Sequence, residues 1–259
     1  MLLQNRISRS RILLPSMGVY AIAVWLLCGL VSDHLWLQFA SFVISSYLMV
    51  ELNNSNALIR IYSRMVSCSF IMMVCISTFL FKSASAMLLS IFVVMSFVTA
   101  FLTYQDKSSM GRTFSSFLSL GLATLIEIRL LYFAPVMWIA MFFYLRSLTV
   151  RIFISSLFGL SCPYWFISLY LIFTNDFTLA VSHFSQLFEF GHIADFSQVP
   201  VSALVSICFV TILSVTGIIH YIRNRINDKT RTRMLYNTFI LFNIATIVFL
   251  IIQPQLYMP

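Results

Sequence analysis

Two charged side chains stand inside a long apolar tract, residues 113–146, TFSSFLSLGLATLIEIRLLYFAPVMWIAMFFYLR. They are Glu127 and Arg129. Ionisable groups at membrane depth are costly and tend to be functional. Glu127 is therefore a catalytic candidate, and Arg129 a candidate for holding a phosphate. On one continuous helix, residues two apart point roughly 200° apart and cannot meet. At a turn both could face one cavity. The alternative is a wet, structural pair at the membrane interface.

Other groups offer weaker chemistry. Asp33 beside His34 could act as a base or ligate a metal, or could form a solvated turn. His183, Glu189, His192 and Asp195 crowd one loop, at spacings that match no standard metal motif. No metal site is expected. Glu51, Asn53, Asn54 and Arg60 form a polar patch. Asn53 and Arg60 in it could receive a headgroup phosphate, or the patch could simply end a helix. Cys28, Cys68, Cys75, Cys162 and Cys208 each lie in an apolar run, which suits neither a disulfide framework nor zinc. Cys68 and Cys75 read as small packing residues on one helix face. No phosphate loop, dinucleotide fingerprint, HExxH or G-x-S-x-G occurs, and no cofactor is implied.

The composition says what must position these groups. Hydrophobic residues make up 60% of the 259, charged residues 9%, and the mean hydropathy is +0.95. A soluble core of this size has no use for so much apolar surface, whereas lipid does. With 7 glycines, close-packed small-residue helix faces can play only a limited part. The expected fold is all-α: a polytopic transmembrane bundle of about nine segments in one integral membrane domain, residues 1–259, with no soluble domain. The segments fall near 12–31, 35–52, 65–81, 86–104, 113–126, 130–145, 152–174, 201–222 and 234–253. The first resembles a signal peptide, but Leu30-Val31-Ser32-Asp33, which closes the run, is no small-x-small site, so it reads as an uncleaved helix. Pro163 removes a backbone donor inside the seventh segment and should kink it near Leu160–Cys162. Between 175 and 200, Phe177, Val181, Phe184 and Phe188 recur at helical spacing, predicting a short amphipathic helix.

The two runs flanking Glu127 are short. As helices, 113–126 spans about 21 Å and 130–145 about 24 Å, against a hydrocarbon core of about 30 Å. Charge decides how the chain passes them. Positive residues resist translocation. With nine segments and a cytoplasmic N-terminus, all of the 16 Lys and Arg except Lys82 and Arg129 lie on the cytoplasmic side. The acids lean the other way, and the C-terminus comes out periplasmic. Merging 113–146 into one helix would export the basic loop RNRINDKTRTR, residues 223–233. The chain must therefore turn near Glu127, as two short spans or as a re-entrant hairpin. The net charge of +8 is thus explained by topology and by attraction to anionic headgroups at the inner face. Without a basic–aromatic platform it does not point to nucleic acid. Membrane lipids are the expected partners, and the sequence names no protein partner.

Four stretches, ELNNSNALIRIYSRM at 51–65, YQDKSSMGRTF at 104–114, LFGLSCPYWF at 157–166 and HYIRNRINDKTRTRMLY at 220–236, together resemble one family of multi-pass inner-membrane proteins of Bacteroidota. The resemblance implies the bacterial inner membrane but no particular reaction. It also implies a further apolar stretch beyond Gln253-Pro254. A second likeness, in Gly121-Leu122-Ala123, Leu125 and Pro135, is to polytopic sugar transferases that use lipid-linked donors. It implies an acidic catalytic residue in the first outer loop, where Asp33 sits.

Three functions follow as expectations. One is a non-enzymatic membrane component of cell-envelope biogenesis. Another is a transferase of lipid-linked glycans or lipid headgroups, with Asp33 and Glu127 facing one cavity. The third is a small-solute transporter, which would carry an inverted repeat; none is evident.

Overall fold

The computed structural model describes residues 12–56, 64–174, 178–188, 200–225 and 228–252. Among these, every regular element is helical. Ten α-helices follow in order: α1 Leu13–Leu27, α2 Trp36–Asn56, α3 Met65–Ile76, α4 Ala84–Phe101, α5 Met110–Ile126, α6 Phe133–Phe143, α7 Val150–Thr174, α8 Thr178–Ser185, α9 Val201–Asn224 and α10 Thr230–Ile252. Two 3-10 turns, Thr78–Lys82 and Ile128–Tyr132, lead into α4 and α6. Four helices, α4, α7, α9 and α10, are long and apolar enough to cross a membrane. Their outward surfaces are apolar: Trp165, Phe166 and Phe173 of α7 and Val201, Val205 and Ile212 of α9 are all exposed. Such surface is stable only against lipid or a partner, and the chain is a helical membrane protein.

The chain packs as two compact units. The first comprises residues up to Val94 together with Pro200–Thr232. Its core is aromatic. Trp25 of α1 is fully buried and stacks on Phe81 at 3.9 Å between ring centroids, with Phe39 and Phe42 of α2 at its edges. Large flat rings fill this space at low conformational cost. The Ser45 and Ser90 hydroxyls meet at 2.7 Å and join α2 to α4.

The second unit comprises Met95–Val199 with Arg233–Met258. It is built on a hairpin whose tip is Glu127. Helix α5 stops at Ile126, Glu127 is extended (φ −135°, ψ 100°), and the 3-10 turn carries the chain into α6. Phe117, ten residues before the tip, stacks on Trp138, eleven after it, at 5.9 Å. At the base, the Gln105 amide donates to the Leu145 carbonyl at 2.8 Å. The chain thus reverses at Glu127, as the charge distribution requires. Helix α7 lies against α5 along the most extensive helix pairing among the described residues. Gly121 and Gly159 set its closeness: a Cβ on Gly159 would stand 2.5 Å from the Phe114 carbonyl oxygen, and one on Gly121 2.8 Å from that of Leu160. Glycines are few, yet two of them make this contact. Pro163 lies inside an uninterrupted α7 and turns its ring onto Gly121. The aromatic face of α10 completes the unit, with Phe242 at 4.7 Å from Phe97 and Phe249 at 5.8 Å from Phe133.

Candidate functional site

The hairpin tip collects polar groups from three places in the sequence. Because Glu127 leaves the helix and Arg129 enters a tighter turn, their side chains meet: Arg129 Nε lies 3.9 Å from Glu127 Oε1. Both side chains are mostly shielded, at 28% and 20% exposure for Glu127 and Arg129. At 3.9 Å the pair is electrostatic rather than hydrogen-bonded. Glu127 Oε1 is buried and has no hydrogen-bond partner among the described residues.

Helix α8 and the turn after it are tied across this tip. His183 Nε2 lies 3.1 Å from the Thr124 carbonyl oxygen. Arg129 Nε donates to the Gln186 carbonyl at 3.5 Å, and the Tyr132 hydroxyl to the Leu187 carbonyl at 2.6 Å. From α7, the Tyr164 hydroxyl donates to Thr124 Oγ1 at 2.9 Å, and Thr124 in turn donates to the Gly121 carbonyl at 2.7 Å. Thr124 in this chain of hydroxyls is buried and Tyr164 partly so, and each has its partner.

Two recesses open beside the tip. One, of about 600 Å³, is lined by Leu125, Tyr164, Ile167, Leu171 and the α8 residues His183 and Phe184, with Gln186 at its edge. The other, of about 530 Å³, is lined by Leu131, Ile154, Leu157, Phe158, Tyr164 and Phe184. Volumes of this size accept a substantial part of an organic ligand. Their walls are mainly apolar, although Ser168 and Ser182 also line the larger and Ser161 the smaller.

The other candidates sit elsewhere. Asp33 and His34 belong to the first unit. Asp33 Oδ2 pairs with Lys82 Nζ at 3.4 Å on an exposed surface, and Ser32 Oγ lies 3.3 Å from its other oxygen. His34 is exposed in a left-handed conformation (φ 54°) beside Gly29 (φ +93°). These angles are those of a tight turn. Asn53 is buried at the end of α2. One turn on, buried Asn56 accepts from Arg231 Nη2 at 3.3 Å and donates to the Leu52 carbonyl at 3.0 Å. Glu51 accepts from Ser55. Arg60, Glu189, His192 and Asp195 lie outside the described residues. Among the described residues no three His, Cys, Asp or Glu side chains converge as a metal-ligand group. Cys68 and Cys75 are both buried in α3.

The sequence marked Glu127 and Arg129 as one place and His183 as another, and it passed over Thr124, Tyr132 and Tyr164. Hydroxyls at helical spacing in apolar runs carry no mark of their own. Only the packing of α7 and α8 on α5 joins them to the tip.

These features define a helical membrane protein with a charged turn set beside apolar recesses. No family model, curated protein or solved structure matches the chain.

Proposed function

We propose that this chain is a multi-pass protein of the bacterial inner membrane, a component of cell-envelope biogenesis that holds a membrane lipid or a lipid-linked substrate. The N-terminus lies in the cytoplasm, about nine segments enter the bilayer, and the C-terminus lies in the periplasm. One observation carries the reading: a mostly shielded carboxylate–guanidinium pair stands on the turn between two largely apolar recesses, in a chain with four helices long and apolar enough to cross a membrane. Apolar walls with a few convergent polar groups are the physical description of an amphiphile site. The supporting detail is the tie from Arg129 to the Gln186 carbonyl, because Gln186 is among the residues that line the larger recess. Untargeted lipid and glycan profiling of a deletion strain tests the reading. A lipid or lipid-linked class that changes on deletion and is restored by the wild-type gene is the expected result. An unchanged profile rejects it.

A second reading takes the same pair as catalytic, in transfer of a lipid-linked glycan or a lipid headgroup. Glu127 Oε1, buried with no hydrogen-bond partner among the described residues, favours it, since such a carboxylate is available to accept a proton. Arg129 then pairs a phosphate. Full complementation by Glu127→Gln eliminates this second reading and leaves the binding role standing.

A further inference from the structure

The two recesses share a wall. Tyr164 and Phe184, with ring centroids 5.5 Å apart, line both. The chain that joins the recesses is the hairpin tip: Leu125 lines one, Leu131 lines the other, and Glu127 and Arg129 lie between them in sequence. A ligand that fills both recesses therefore has two apolar branches, separated by the ring pair.

The tip states what joins those branches. It presents one negative and one positive group, close but not hydrogen-bonded to each other, at 3.9 Å. The carboxylate oxygen on that side is buried without a hydrogen-bond partner among the described residues. A buried acceptor of this kind is costly until a donor reaches it. An ammonium group has three donors and no acceptor, which suits the carboxylate; phosphate oxygens suit the guanidinium. A purely anionic head would satisfy Arg129 and set a second negative charge against Glu127. We propose that the recesses and the tip form a binding site for a diacyl phospholipid with a zwitterionic, amine-bearing head. One tail lies on each side of the Tyr164–Phe184 pair, the ammonium meets Glu127 and the phosphate meets Arg129. The proposal rests on the lipid-holding reading above and adds the class of lipid.

The full-length chain in detergent, titrated with defined lipids and read by native mass spectrometry, tests it. The lipids are dioleoyl phosphatidylethanolamine, dioleoyl phosphatidylglycerol, dioleoyl phosphatidylcholine and single-tailed lysophosphatidylethanolamine. The expected result is one retained phosphatidylethanolamine, preferred over phosphatidylglycerol by about tenfold, the scale of one charge-assisted hydrogen bond. Glu127→Gln abolishes that preference. Leu157→Trp and Ile167→Trp, at exposed wall positions that tolerate a larger ring, each lower retention of the diacyl lipid and spare the lyso form. Equal retention of all diacyl lipids, or an undiminished preference in Glu127→Gln, overturns the zwitterion assignment and leaves lipid holding intact. Retention of no lipid above that of an unrelated helical membrane protein overturns both.

Discussion

At the scale of single residues, the chain shows how strongly context decides chemistry. Asp33 and Glu127 are both carboxylates beside a cation, yet Asp33 with Lys82 is exposed and Glu127 with Arg129 is mostly shielded. The exposed pair contributes little to stability, because water and salt screen it. The shielded pair keeps its electrostatic force. Asp106, in the loop before α5, is a third case. Hydrogen bonds from the Ser108 hydroxyl (2.7 Å) and the Ser108 amide (2.9 Å), aided by Arg112, hold its carboxyl below the ordinary 3.8. These bonds favour the charged form. A carboxyl whose value is lowered on folding adds stability that is fully present above its ordinary value, and loses it as pH falls through the lowered one. Asp106→Asn is expected to remove the part of the acid destabilisation that begins below about pH 4. Thermal unfolding of both proteins in detergent between pH 3 and pH 7 measures this. Parallel pH profiles would deny Asp106 the role.

At the scale of elements, the α5–α7 pair is the scaffold of the candidate site. It holds Thr124 against Tyr164 and leaves the tip free to turn. Its closeness depends on missing side chains, since glycine lets helix backbones approach where any Cβ would collide. Gly159→Ala forces the two helices apart or strains the Phe114 carbonyl, and is expected to cost about 1–3 kcal/mol, the usual range for overpacking. Gly18 of α1 has open space where its Cβ would go, so Gly18→Ala should cost nothing and gain up to about 1 kcal/mol from helix propensity. Thermal midpoints of the two variants in one detergent make the comparison. If Gly159→Ala unfolds where Gly18→Ala does, the close crossing is unimportant.

Tyr164 shows why an element can be read from sequence while its role cannot. The apolar run 152–174 announced a helix, and α7 is one. Which of its faces would meet α5 depended on Pro163 finding Gly121 and on Gly159 finding the Phe114 backbone across the interface, and no local periodicity records that. The short helix expected between 175 and 200 is likewise present as α8. Its docking on Thr124 through His183 depends on a contact 59 residues away in the chain.

At the scale of the whole molecule, charge and hydropathy set the course of the chain. Our topology puts the basic loop around Lys229 in the cytoplasm and the segment around Gln186 in the periplasm. In a background lacking the five native cysteines, Gln186→Cys should react with a membrane-impermeant thiol reagent in intact spheroplasts, and Lys229→Cys only after lysis. The opposite pattern would reverse the orientation. The same ledger of cations demanded a reversal near Glu127, and the Phe117–Trp138 stack shows one. Long-range charge bias and local hydropathy are additive properties of composition, so they survive without coordinates.

The amino-acid sequence alone determined a lipid-soluble helical chain, the approximate places of its helices, and a break in the helix at Glu127. Those follow from hydrophobic length, from the cost of bare backbone in hydrocarbon and from the distribution of Lys and Arg. Only the tertiary structure decided that Glu127 meets Arg129, that α8 is strapped over the tip, and that Tyr164 and Phe184 divide two recesses. Those contacts join residues remote in the chain, and their partners are chosen by shape and hydrogen bonding between packed helices. That choice belongs to pairs of surfaces, and a linear pattern describes each surface only by itself.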